Sequence, residues 1–171
     1  MSAHQQFVEN NQKYVEKFDR PDLPIPPAKK LLIVTCMDAR IDAFASIGLN
    51  LGDAHVVRNA GGCVQDVIRS IVISQRLLGT REIAVFHHTG CGMLTFSNQQ
   101  LRDIVKKDAA PEVASQIAEA VDKTDFLAFS DLEQSVKDDI KFLKENPLVL
   151  KETVVTGWIY DVHDGKVKQI V

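Results

Sequence analysis

The stretch LLIVTCMDAR, residues 31–40, opens with a short, nearly unbroken apolar run and then turns abruptly polar and charged. A strand with one face in water alternates apolar and polar residues. A run without alternation marks a strand buried on both faces, as in parallel sheets. Two later segments, AHVVRN (54–59) and EIAVFHH (82–88), read as further strands. Between the strands, DAFASIGL (42–49) predicts a short helix. VQDVIRSIVISQRLLG (64–79) carries Val64, Val67, Ile68, Ile71 and Val72 at helical spacing and ends on Gly79, a common helix stop. Strands alternating with helices predict an α/β fold with a central, mainly parallel sheet flanked by helices.

Outward from this centre the pattern loosens. Residues 3–18 predict a polar, weakly amphipathic helix whose apolar contacts are Phe7, Val8, Tyr14, Val15 and Phe18. The next stretch, RPDLPIPPAKK (20–30), holds four prolines and must be an extended arm. A sparse helix on a stiff arm has little of its own domain to bury against, so packing on a partner subunit is expected. Ile73 and Leu77 lie off the stripe of helix 64–78, which predicts cover on two sides and again a homodimer or a multiple of dimers. Residues 98–120 read as polar helix divided by Pro111. SDLE (130–133) matches a capping box with Ser130 as N-cap, ahead of a helix that places Leu132, Val136, Ile140 and Leu143 on one face and stops at Asn146-Pro147. The C-terminal TVVTGWIYDVHDGKVKQIV reads as a strand, an Asp164-Gly165 turn and an antiparallel closing strand. With no repeat and no composition break, residues 1–171 are expected to form a single domain, of which 1–29 are the N-terminal helix and arm.

Composition narrows the function classes. Apolar residues make up 45% and charged residues 25% of the chain, and the net charge is −3. That balance, without a basic stripe, argues against nucleic acid as a partner. No window approaches a membrane span and no signal core is present, so a cytoplasmic location is expected. The three cysteines, Cys36, Cys63 and Cys91, each follow or end an apolar run. In a reducing compartment such cysteines serve as ligands, nucleophiles or small core residues rather than as a disulfide framework. The same consideration weighs against a Cys36–Cys91 disulfide.

In open parallel sheets ligands sit beyond the carboxyl ends of the strands. Those ends read TCMDAR, VVRNAGG and FHHTGCGM. The glycine-rich GCGMLT faintly suggests a dinucleotide loop, but Thr95 stands at the sixth position and no later strand supplies a ribose-binding acid. A metal reading fits better. His88 and Cys91 have H-x-x-C spacing across a tight turn, and Cys36 ends a neighbouring strand. Two thiolates and an imidazole suit zinc and leave a fourth position open. Asp38 is the nearest carboxylate, and Arg40 can grip it bidentately and keep it off the metal. His87 points opposite to His88 on a regular strand and is the lesser ligand candidate.

These residues together resemble the β-class carbonic anhydrases. The likeness rests on Cys36-Met-Asp38-Ala-Arg40, on Arg58-Asn-Ala-Gly-Gly62 and on His88-Thr-Gly-Cys91-Gly. It is closest to the short microbial branch, whose members include carbonyl sulfide and carbon disulfide hydrolases. The resemblance implies Zn2+ held by Cys36, His88 and Cys91, with Asp38 either a fourth ligand or, paired to Arg40, an acceptor beside zinc-bound water. Zinc brings that water's pKa near 7 and yields a hydroxide able to attack an electrophilic carbon. Ala60, Gly61 and Gly62 would let backbone approach the substrate slot. Strand one has no glutamine to match the amide side chain of the larger plant-type members.

The expected activity is hydration of carbon dioxide to bicarbonate. The alternative on the same skeleton is hydrolysis of carbonyl sulfide, and a remote one is a noncatalytic zinc or redox module. Other residues carry plainer expectations. Cys63 reads as a small packing residue or a pocket wall, Arg58 as a salt-bridge residue, and Met93 and Phe96 as core or slot walls. His4, His55 and His163 read as ordinary surface or hairpin residues.

Overall fold

The computed structural model describes residues 2–171. A five-stranded sheet forms its centre: β1 (Leu31–Cys36), β2 (Ala54–Asn59), β3 (Glu82–His88), β4 (Val154–Tyr160) and β5 (Val167–Gln169). The strand order is β2-β1-β3-β4-β5. All neighbours pair in parallel except β4 and β5, which form the antiparallel C-terminal hairpin. The chain passes from β1 outward to β2 and then crosses back to β3. The strand order therefore reverses between β1 and β3, the switch point at which such sheets open a crevice.

Helix α1 (Phe7–Val15) precedes the sheet, α2 (Ile68–Leu78) joins β2 to β3, and α3 (Asn98–Lys107), α4 (Ala114–Asp122) and α5 (Leu132–Glu145) lie between β3 and β4. The alternation of side chains along β1 and β3 builds two different faces. Leu32, Val34, Ile83 and Val85 meet Val67 and Ile71 at α2 and Val136, Ile140 and Leu143 of α5. Each such fully buried side chain contributes about 1.5–3 kcal/mol of transfer free energy. Helix α5 reaches the sheet over Gly157 of β4, where an added Cβ would lie 2.5 Å from Val136 Cγ1.

The opposite face gathers Ile33, Ala84 and Phe86, with Ile47, Leu49 and Trp158 packed on it. Phe86 and Trp158 stack with ring centroids 5.8 Å apart. Among the described residues no α-helix contributes a side chain to this cluster, and a groove of about 280 Å³ runs along it. Helix α1 buries none of its residues, leaving Phe7, Val8, Tyr14 and Val15 more than half exposed. Leu77 of α2 is 76% exposed, so the second side of that helix is uncovered within one chain.

Local details differ from the sequence expectations. The segment 42–49 forms only a 3-10 turn at Ala45–Ile47, and the first turn of helix 64–78 is 3-10 before α2 proper begins. The N-cap of α5 is Asp131, whose side chain accepts the Gln134 amide, not Ser130. The capping box instead sits at α3, where Ser97 and Gln100 bond each other's backbone amides. No helix among the described residues is long and apolar enough to cross a membrane.

Candidate metal centre

Strand register brings the candidate ligands together. Cys36 ends β1 and His88 ends β3, the strand beside it, and the turn Thr89–Gly90 returns Cys91 toward both. The ligating atoms of Cys36, His88 and Cys91 lie within 4.8 Å of one another, and all three residues are buried. His88 Nδ1 donates to the Thr89 carbonyl at 2.9 Å, which fixes the proton on that nitrogen. Its other nitrogen, Nε2, is buried with no hydrogen-bond partner among the described residues. An orphaned acceptor in a protein interior is costly unless something occupies it. An imidazole nitrogen and two sulfurs converging on one point form the donor set that suits zinc, so the residues fit that ion.

The two sulfurs share their electrostatics. The Cys91 thiol beside it lowers the Cys36 pKa from 9.0 to about 4, against the burial that would raise it. Cys91 is pushed up, first by Cys36 and then by burial. The first proton of the pair is therefore held less tightly, and the second more tightly, than on an isolated cysteine.

Asp38 stands just outside the cluster, its Oδ2 3.8 Å from His88 Nε2. Arg40 holds it through two parallel contacts, Nε to Oδ1 at 2.9 Å and Nη2 to Oδ2 at 2.6 Å. Those bonds, with the Arg40 amide on Oδ1, keep the carboxyl well below the usual carboxylate range. Arg40 Nη2 also donates to the Gly90 carbonyl at 3.0 Å, joining the C-x-D-x-R loop to the H-x-x-C turn.

The glycine loop after β2 packs behind Cys36. A Cβ on Gly62 would stand 2.9 Å from the Phe86 carbonyl oxygen and 3.0 Å from the Cys36 nitrogen, at a φ of +75°. Only glycine permits that approach. The Gly61 backbone adds a small lowering to the Cys36 pKa. Ala60 adjoins an apolar cluster with Met93, Leu94, Phe96 and Phe129 around Cys36 and Cys91.

Several residues take places that the sequence did not indicate. Arg58 makes no salt bridge among the described residues. It donates instead to the carbonyls of Cys36 at 3.0 Å and Asp38 at 2.7 Å, clamping the loop from both sides of Met37. His55 is half-buried and bonded to Ser74 Oγ at 2.8 Å, so it is not a surface residue. His87 turns to the helix side of the sheet, away from the cluster. There it bonds Ser135 Oγ at 2.7 Å and Asp139 Oδ2 at 3.0 Å and stacks on Phe129. Cys63 is buried at the edge of a cavity that His87, Phe129 and Asp139 also line.

Known proteins share this architecture. Residues 31–167 match the family described as carbonic anhydrase. The chain is 39% identical over 173 residues to β-carbonic anhydrase 1 of Mycobacterium tuberculosis, covering 99% of each. It is 33% identical over 162 residues to a carbon disulfide hydrolase of Saccharolobus solfataricus, covering 85% of this chain and 79% of that one. The solved structure of a carbonic anhydrase from Glaciozyma antarctica superposes with a TM-score of 0.91 at 48% identity, over the full length of both chains.

Proposed function

The chain belongs to the β-carbonic anhydrase family, and from that premise we propose that it hydrates carbon dioxide to bicarbonate, with Cys36, His88 and Cys91 holding Zn2+ and Asp38 and Arg40 serving catalysis. One observation carries the reading. The buried His88 Nε2, with no hydrogen-bond partner among the described residues, lies beside a carboxylate that an arginine holds aside through both of its oxygens. A zinc ion at such a site supplies a Lewis acid that brings the pKa of water to about 7.

The chain's own residues do the rest. Asp38, kept ionised by Arg40, is an acceptor only, so it takes the hydrogen bond of the attacking water and turns a lone pair toward the substrate carbon. Arg40 keeps that carboxylate off the fourth metal position. A linear, uncharged substrate asks for little more than an apolar seat. Ala60, Gly61 and Gly62, with Met93, Phe96 and Phe129 nearby, supply it in this reading.

A second reading, hydrolysis of carbonyl sulfide to carbon dioxide and hydrogen sulfide, draws support from the similarity to a carbon disulfide hydrolase. Both substrates need the same attacking group and differ in the size and polarity of the slot. Bicarbonate formation and sulfide release, measured side by side on the purified chain with its zinc content, separate the two. Zinc with bicarbonate formation supports the first reading, and zinc with sulfide release alone supports the second. Absence of bound zinc defeats both.

The uncovered sheet face and the exposed apolar side of α1 support a homodimer or a multiple of dimers, each copy's arm lying on the other. Monomers in sedimentation would defeat that. The three free thiols suit a reducing, cytoplasmic setting.

A further inference from the structure

The turn carrying two of the three proposed ligands is itself tied down from the far end of the chain. Thr89 follows His88, and its carbonyl is the group that accepts the His88 Nδ1 proton at 2.9 Å. Whatever orients the Thr89 peptide therefore sets the ring plane and tautomer of His88. Three bonds orient it. The Thr89 amide donates to the Tyr160 carbonyl at 3.0 Å, extending the β3–β4 ladder by one residue. The Thr89 hydroxyl donates to Asp161 Oδ1 at 3.2 Å and accepts the Val162 amide at 3.1 Å.

Asp161 is in turn the anchor of the hairpin turn between β4 and β5. Its Oδ1 also accepts the His163 amide at 2.8 Å, its carbonyl accepts the Gly165 amide, and its own amide donates to the Lys166 carbonyl. The hydroxyl thus both donates and accepts against one hydrogen-bonded turn, and Thr89 is half-buried there.

We propose that Thr89 and Asp161 form a positioning clasp for His88, through which the C-terminal hairpin fixes the imidazole that faces the Cys36–Cys91 pair. The inference rests on the zinc reading of that cluster. Neither residue touches the reacting atoms. Their contribution is the orientation of a ligand, and loss of such supporting partners typically lowers metal affinity about 10–100-fold.

The decisive substitution is Thr89→Val, which keeps shape and removes the hydroxyl. Thr89→Ser keeps the hydroxyl, Asp161→Asn keeps the Oδ1 acceptor, and Asp161→Ala removes it. The readouts are the rate of zinc loss to a chromophoric chelator and the absorption spectrum of the Co2+-substituted chain, which reports ligand geometry without turnover. Thr89→Val and Asp161→Ala should release zinc about tenfold faster or more and shift the cobalt bands, while Thr89→Ser and Asp161→Asn stay within about twofold of wild type. Release at the wild-type rate from Thr89→Val, or equal acceleration in Thr89→Ser, overturns the clasp. If Thr89→Val does not fold, the two Asp161 substitutions decide, and equal release from both overturns it. A wild-type chain that takes up no zinc overturns the metal reading instead, so the two failures are distinct.

Discussion

Asp38 and Arg40 meet through both carboxylate oxygens, at 2.9 and 2.6 Å, while Asp38 Oδ2 stays 3.8 Å from the bare nitrogen of His88. A carboxylate so close to a metal position is a ready fourth ligand. What keeps it aside is a planar guanidinium whose fork matches its two oxygens. Arg40 is half-exposed, so the pair adds little to stability and its value is geometric.

Asp38→Ala should therefore retain one zinc per chain and lose turnover by a factor of about 10²–10⁴, the usual share of a positioned proton acceptor. Arg40→Ala releases Asp38 toward the metal position and should also depress turnover. Arg40→Lys should not rescue it, because an ammonium lacks the fork. Metal analysis beside carbon dioxide hydration checks all three, and complete zinc loss in Asp38→Ala would mark Asp38 as a ligand instead.

Gly62 is the tightest point of the loop behind Cys36. Gly62→Ala places a methyl group against the Phe86 carbonyl and the Cys36 amide, both backbone, in a left-handed conformation. Neither neighbour can yield without moving the ends of β1 and β3. A stability loss of about 1–3 kcal/mol is expected from the backbone strain, together with weaker zinc retention. Urea melts and chelator release measure the two. A variant unchanged in both would show that the ligand-bearing strand ends tolerate displacement.

The parallel sheet and the convergence of Cys36, His88 and Cys91 are legible because each leaves a local signature: unbroken apolar runs for the strands, and H-x-x-C and C-x-D-x-R spacings at their ends. Features built on backbone acceptors leave none. The sequence suggests a salt bridge for Arg58 because its true partners, the carbonyls of Cys36 and Asp38, have no letter in it. The α5 cap lies one residue beyond the sequence expectation because Ser130 and Asp131 are both competent caps, and the Gln134 amide selects the Asp131 carboxylate. The bonds of His87 reach 48 and 52 positions along the chain, and that of Thr89 to Asp161 reaches 72. Such pairings follow from the fold rather than from any spacing.

The pairing of His87 with Asp139 yields its own expectation. Asp139 is 4% exposed and also accepts the Val64 amide at 3.2 Å, so it joins the glycine loop to β3 on the helix side of the sheet. Asp139→Ala strands two buried donors at once. The expected cost is roughly 1–3 kcal/mol for each group left unsatisfied. It should appear as a lower midpoint in urea, with zinc stoichiometry unchanged. Wild-type stability would mean that water from the adjoining cavity replaces the carboxylate.

Cys63 gives a pH dependence of defined sign. Burial pushes its thiol up from 9.0 to about 12, and Asp139 adds to the rise. Below about pH 8.5, the ordinary range of an unfolded cysteine, both states keep the proton and the residue is neutral in the balance. Between there and about pH 12 the unfolded chain sheds it while the native chain retains it, so stability falls as pH rises. The slope from this one group approaches about 1.4 kcal/mol per pH unit. Urea unfolding of wild type and Cys63→Ala at pH 8 and pH 10 isolates it: the variant starts lower, for want of packing, but loses less on going alkaline. Its thiol should likewise resist alkylation at pH 8 until the chain unfolds, since the thiolate is the reactive form. Equal alkaline losses in the two chains, or rapid native-state alkylation of Cys63, would show that the thiol is solvated rather than sealed behind the glycine loop.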